Sequence, residues 1–189
     1  MKENTLTKRD IVVIAILIIG SLFYFLLSPK ILLDPAIESQ RMDRLDEIKN
    51  TTSLSVFETD GCSGNISKIW DNTIESISKI SPVFKEKYSG TKVPFENACI
   101  KHDRLYHKGI GGYVGRLKVD NILRTDIISY GIENSHSIMI SSGIKTEEEV
   151  IFIYELIADA IYTGVRTGGS PCTDRSYAWG FGYNNGVCN

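Results

Sequence analysis

No cysteine precedes residue 62, no histidine precedes residue 102, and no charge interrupts residues 11–27 in this chain of 189 residues. Basic residues are not in excess: 21 Lys and Arg stand against 23 Asp and Glu, a formal charge of −2. That balance leaves no basic footprint for nucleic acid. The absence of an upstream histidine excludes a metal-dependent phosphohydrolase built on a His-Asp doublet, because such a site needs a second histidine earlier in the chain. The chain also has no internal repeat and no low-complexity run.

The uncharged stretch at the N-terminus is the first thing that is present. Residues 11–27 span roughly 26 Å as a helix at about 1.5 Å per residue, the low end for crossing a bilayer. Lys2, Lys8 and Arg9 precede the stretch, and Lys30 is the only basic residue in the first twelve positions after it. This asymmetry predicts a single-pass anchor at 11–28, residues 1–10 in the cytoplasm, and the remainder outside. The alternative is a secreted protein released by signal-peptide cleavage, but the apolar run is long for that and no Ala-x-Ala site follows Leu27. Pro29 and Pro35 then break the helix. Residues 29–50 read as a charged stalk or linker with a thin stripe at Ile37, Arg41, Leu45 and Ile48, and residues 51–189 as one domain with a real core. All four cysteines (62, 99, 172 and 188) lie in that domain. They admit three connectivities, among which spacing alone does not choose. An extracytoplasmic position lets disulfides persist.

The domain reads as mainly α. Phe95, Cys99, His102 and Tyr106 recur at helical spacing and share one stripe, with Asp103 about 100° round from His102. A lone His-Asp pair on an amphipathic helix is ordinarily a half-buried histidine beside a solvated carboxylate. Here a second helix is predicted over 115–130, and the short Gly-rich link Lys108–Gly112 makes the pair antiparallel. Asp120 lies on this second helix, 18 residues after His102. Ile66, Ile69, Trp70, Ile74, Ile77 and Ile80 form a further helical stripe. Thr146 with Glu149 is a capping box, opening a third core helix that carries Val150, Ile153, Tyr154, Ile157, Ala158 and Ile161. Residues 131–145 read as a polar loop. Tyr177, Trp179, Phe181 and Tyr183 alternate with small residues, which predicts an extended segment with four aromatics on one face. Such a face is either an arm packed on the helices or an interfacial surface.

Three segments in order, Asp60-Gly61-Cys62, then Phe95-Glu96-Asn97-Ala98-Cys99-Ile100-Lys101-His102-Asp103-Arg104-Leu105-Tyr106, then Arg116-Leu117-Lys118-Val119-Asp120, resemble the secreted phospholipase A2 superfamily. They are closer to its short bacterial and fungal branch than to the disulfide-dense animal enzymes. The resemblance covers residues 58–130, and Tyr162-Thr163-Gly164-Val165-Arg166 after a long helix is similar too. It implies His102 as general base, Asp120 as the acid that holds it, and a calcium ion bound by Asp103, Asp60 and the backbone of Gly61 and Cys62. It implies a Cys62–Cys99 disulfide, leaving Cys172 with Cys188, and so removes Cys99 as a nucleophile. It further implies hydrolysis of a phospholipid acyl ester at a membrane surface. Two features depart from the pattern. Residues 66–92 stand as an insertion, and the animal-type Cys-Cys doublet and Gly-rich calcium loop are absent. The alternative within the resemblance is a non-catalytic module that keeps the fold to bind lipid or protein, although nothing in the sequence names a protein partner.

The chemistry suits these residue types. Neutral imidazole, with an ordinary pKa near 6.5, takes a proton from water, and a carboxylate on its other nitrogen fixes the tautomer. A hard dication held by oxygen donors stabilises the developing oxyanion. Tyr106 is expected to pack or hydrogen-bond rather than react, and Asp126 to face solvent. His107 is expected on the surface, and Arg116 carries no assigned role in the chemistry.

Overall fold

The computed structural model describes residues 35–62, 65–79, 81–183 and 188. The proposed membrane segment 11–28 lies outside them, and so does Ile80. Among the described residues there are six α-helices and no strand. They are α1 (Pro35–Thr51), α2 (Asn65–Ser78), α3 (Pro82–Tyr88), α4 (Glu96–Lys108), α5 (Gly112–Ser142) and α6 (Glu147–Gly168), followed by a 3-10 turn at Phe181–Tyr183. None of these helices is long and apolar enough to cross a membrane.

The α4–α5 pair is antiparallel. Tyr106 meets Arg116 and Asp120, His102 meets Asp120, and Lys101 meets Asp126, so position rises on one helix as it falls on the other. The third core helix starts where the capping box predicts: Thr146 accepts a hydrogen bond from the Glu149 N–H at 3.2 Å. α6 packs antiparallel to α5, with Val150, Tyr154, Ile157, Ala158 and Ile161 all buried. The segment expected as an insertion contributes α2, whose Trp70, Ile74 and Ile77 join the same core as Phe95, Leu123 and Ile127. Each such fully buried apolar side chain contributes about 1.5–3 kcal/mol.

Four expectations need correction. Residues 131–142 are not a loop, since α5 runs unbroken to Ser142, and only 143–146 link it to α6. Gly131, Ser135, Ile138 and Ser142 repeat at four, three and four and are buried, so the small residues that read as loop are a helix–helix contact. A Cβ at Gly131 would lie 2.4 Å from the Tyr154 Cβ, closer than side-chain atoms pack. Gly131→Ala should therefore destabilise the protein by about 1–3 kcal/mol through overpacking, even though alanine is the better helix former by about 1 kcal/mol. Urea unfolding checks this, and a stabilised variant would show that α5 and α6 do not approach this closely.

The second correction concerns residues 36–50, which do not behave as a spacer. α1 packs into the domain through Glu38, Met42 and Leu45, a face turned one position from the predicted stripe and leaving Ile37 exposed. Met42 and Leu45 join a core cluster with Tyr106, Val119 and Trp179. The third correction is to the tail, whose aromatics do not share a face. The Trp179 N–H donates to the Gly169 carbonyl and the Gly180 N–H to the Tyr106 carbonyl, which folds the tail back onto α4. Trp179 is wholly buried with Met42, Leu45, Tyr106 and Val119, while Tyr177 and Tyr183 remain part-exposed. The same tail covers His107, which is 3 % exposed between Phe57 and Phe181 rather than on the surface.

Both disulfides are formed, Cys62–Cys99 and Cys172–Cys188, with Cα separations of 5.3 and 4.7 Å. The first ties the turn before α2 to the first turn of α4. The second holds the tail. The described residues contain no free cysteine.

Candidate active site

α4 directs Cys99, His102 and Tyr106 inward, and Asp103 beside them is 8 % exposed. The buried Asp120 of α5 stands opposite, its Oδ1 accepting hydrogen bonds from His102 Nε2 at 2.9 Å and from the Tyr106 hydroxyl at 2.6 Å. A carboxylate only accepts here, so the proton sits on Nε2 and the neutral ring presents Nδ1 as a lone pair. That nitrogen lies 4.0 Å from Asp103 Oδ1. Tyr106 stacks against the imidazole at a ring separation of 4.1 Å, which fixes its plane. Tyr106 thus packs and hydrogen-bonds as expected, and Asp126 pairs at the surface with Lys101.

Electrostatics agree with the geometry. Burial pulls the His102 pKa down, but the carboxylates of Asp103 and Asp120 outweigh it and hold it above the ordinary 6.5. Burial pushes Asp120 up, but the hydrogen bond from His102 and the charge of Arg116 outweigh that and leave it below its ordinary value. The pair is therefore a polarised imidazole on an ionised carboxylate.

A cleft of about 360 Å³ opens in front of His102. Its lining includes the polar His102, Asp103, Asp60 and Asp174 with Gly61, and the apolar Ile66, Ile69, Ile161 and Val165. Arg175 and Tyr177 from the tail also line it. The turn carrying Asp60 is tied to α4 twice. The Cys62–Cys99 bridge is one tie; the other runs from the Gly61 N–H to Thr59 Oγ1 at 3.0 Å, and from the Thr59 hydroxyl to Asp103 Oδ2 at 2.6 Å. Gly61 has φ +67°, a left-handed turn that other residues adopt with strain. Cys62 faces a neighbouring recess of about 220 Å³, and its carbonyl accepts from the Ser67 hydroxyl.

Among the described residues no three His, Cys, Asp or Glu side chains stand together as a metal-binding group. The carboxylates lining the cleft are Asp60, Asp103 and Asp174, and the Tyr177 hydroxyl reports the field of the first two. Its pKa is raised by burial first and then by the charges of Asp60, Asp103 and Glu58. Apart from His102 Nδ1, which the mechanism needs as a base, the donors lining the cleft are oxygens, because the cysteines are bridged. Such a set fits calcium, which completes its shell with backbone carbonyls and water, better than a thiolate- or imidazole-seeking metal.

Behind Asp120 lies a charged cluster that the sequence reading does not contain. Arg116, with no exposed surface, pairs with Glu38 and donates to the Tyr106 hydroxyl at 3.0 Å and to the Val165 and Arg166 carbonyls at 2.7 Å. Arg166 donates to Asp120 Oδ2 and to Glu38 Oε2, both at 2.9 Å. Arg166 sits in the Tyr162–Arg166 segment, where only its company pointed to it, and nothing in the highly charged 36–50 stretch marks Glu38. No family model, no curated protein and no solved structure matches this chain.

Proposed function

We propose that the protein is a calcium-dependent hydrolase of phospholipid acyl esters, a phospholipase A2-like enzyme. The observation that carries this reading is His102: one ring nitrogen is fixed on a buried carboxylate, and the other faces a cleft that also holds Asp103. In the reaction, Nδ1 takes a proton from a water as that water attacks the ester carbonyl carbon. Asp120 steadies the resulting imidazolium. The imidazolium returns the proton to the departing alcohol as the carbon–oxygen bond breaks. Asp103, Asp60 and the Gly61 carbonyl would hold calcium, whose chemistry when bound is stabilisation of the oxyanion. The apolar wall of Ile66, Ile69, Ile161 and Val165 suits an acyl chain, and the Arg175 guanidinium suits an anionic phosphodiester. The two disulfides support an extracytoplasmic domain, tethered beside its lipid substrate by residues 11–28.

Fatty-acid release from mixed phospholipid vesicles by the full chain in detergent, with calcium and with chelator, tests the proposal. Release only with calcium supports it, and no release in either condition overturns it. Asp103→Asn should lose calcium affinity and activity together, by more than the roughly 10–100-fold typical of residues outside a metal's ligand shell. Calorimetry showing unchanged calcium binding would remove Asp103 from the metal site.

A further inference from the structure

Glu38 lies on the first helix of the domain, 78 residues before Arg116 and 128 before Arg166, and it is 1 % exposed. Its two carboxylate oxygens are divided between the two guanidiniums: Arg116 Nη1 donates to Oε1 and Arg166 Nη2 to Oε2. The other faces of those guanidiniums turn toward Asp120. Arg166 Nη1 donates to Asp120 Oδ2 at 2.9 Å, and Arg116 Nε stands 3.9 Å from the same oxygen. Two anions and two cations thus form a closed, buried set, and the anion at one end holds His102.

We infer that Glu38 is a positioning residue for the reaction, and that α1 is part of the active site rather than a spacer leading to it. The inference rests on the reading of His102 as the base. Glu38 draws both guanidiniums back from Asp120, so that the Asp120 carboxylate keeps enough charge and the right orientation to hold the imidazole. Without it, two buried cations converge on one carboxylate. Asp120 then accepts less strongly from His102 Nε2–H and supports the imidazolium less well. The part of the chain nearest the proposed anchor therefore completes the catalytic machinery.

Glu38→Gln in the full chain tests this, since it keeps the side-chain length and removes the charge. The expected result is a fall in kcat of about ten- to a hundredfold, on the scale seen for outer-shell partners that orient metal-ligating histidines. KM and calcium affinity should be unchanged. Glu38→Gln combined with Arg166→Gln leaves one cation facing one anion and should recover kcat relative to Glu38→Gln alone. A merely structural role predicts the opposite, because a second buried partner is lost. A readout independent of turnover is the His102 Nε2–H proton resonance in NMR, which should move upfield in Glu38→Gln and return in the double variant. Wild-type kcat or an unmoved resonance in folded Glu38→Gln overturns the inference. If Glu38→Gln does not fold, the double variant carries the test, and a displaced resonance there overturns it. A wild-type chain that hydrolyses no phospholipid sinks the proposed function instead, and the resonance still decides whether Glu38 governs the His102–Asp120 bond.

Discussion

Replacing His102 with asparagine should lower phospholipid hydrolysis by about 10²–10⁴-fold, the usual loss when a general base is removed. An amide does not take a proton from water at neutral pH, so the loss should appear in kcat. The fold should survive. Asp120 still accepts from Tyr106 at 2.6 Å and from Arg166 at 2.9 Å, so removing the imidazole does not strand the buried carboxylate. Calcium affinity should stay close to wild type, because Asp103, Asp60 and the Gly61 turn are untouched. Circular dichroism, calorimetry and the vesicle assay on one preparation separate these outcomes. A variant that folds, binds calcium and keeps wild-type turnover removes His102 from the mechanism.

The half of the site on α4 and α5 was legible in the sequence for a simple physical reason. A buried functional side chain on a helix must share the stripe of its apolar neighbours. Phe95, Cys99, His102 and Tyr106 do so, and the short link suits an antiparallel pair, while Asp120 was marked by the family resemblance. The capping box at Thr146 was legible because it is local. What was not legible depends on partners far away in the chain. Glu38, Arg116 and Arg166 are charged, and periodicity assigns charges to solvent. They are buried here because they neutralise one another across three helices, which no local window reveals. Gly131 misled in the same way: glycine among polar residues reads as a loop until Tyr154 of another helix occupies the missing side chain's place. The tail aromatics alternate as a strand would, but hydrogen bonds to Gly169 and Tyr106 bend the backbone and bury Trp179 alone.

Replacing Arg116 with methionine should be the most destabilising single change in the charged cluster, at about 3–5 kcal/mol, the usual result of breaking a buried ion pair by removing one partner. Methionine fills much of the same space, so the loss is electrostatic rather than a cavity. Glu38 keeps only Arg166, the Tyr106 hydroxyl loses a donor, and the Val165 and Arg166 carbonyls at the end of α6 lose theirs. The pH dependence should change as well. The Asp120 pKa is lowered in the folded protein despite burial, through His102 first and Arg116 next. Its stabilising contribution is present above the ordinary carboxylate value near 3.8 and is lost as pH falls through the lowered folded value. Without Arg116 the folded value rises, so the contribution at neutral pH shrinks and acid unfolding begins at higher pH. Urea unfolding at neutral pH and an acid titration followed by near-ultraviolet circular dichroism measure the two effects. An Arg116→Met variant with wild-type stability and an unmoved acid transition would mean that the four charges do not act as one buried set, and the part assigned to Glu38 would fall with it.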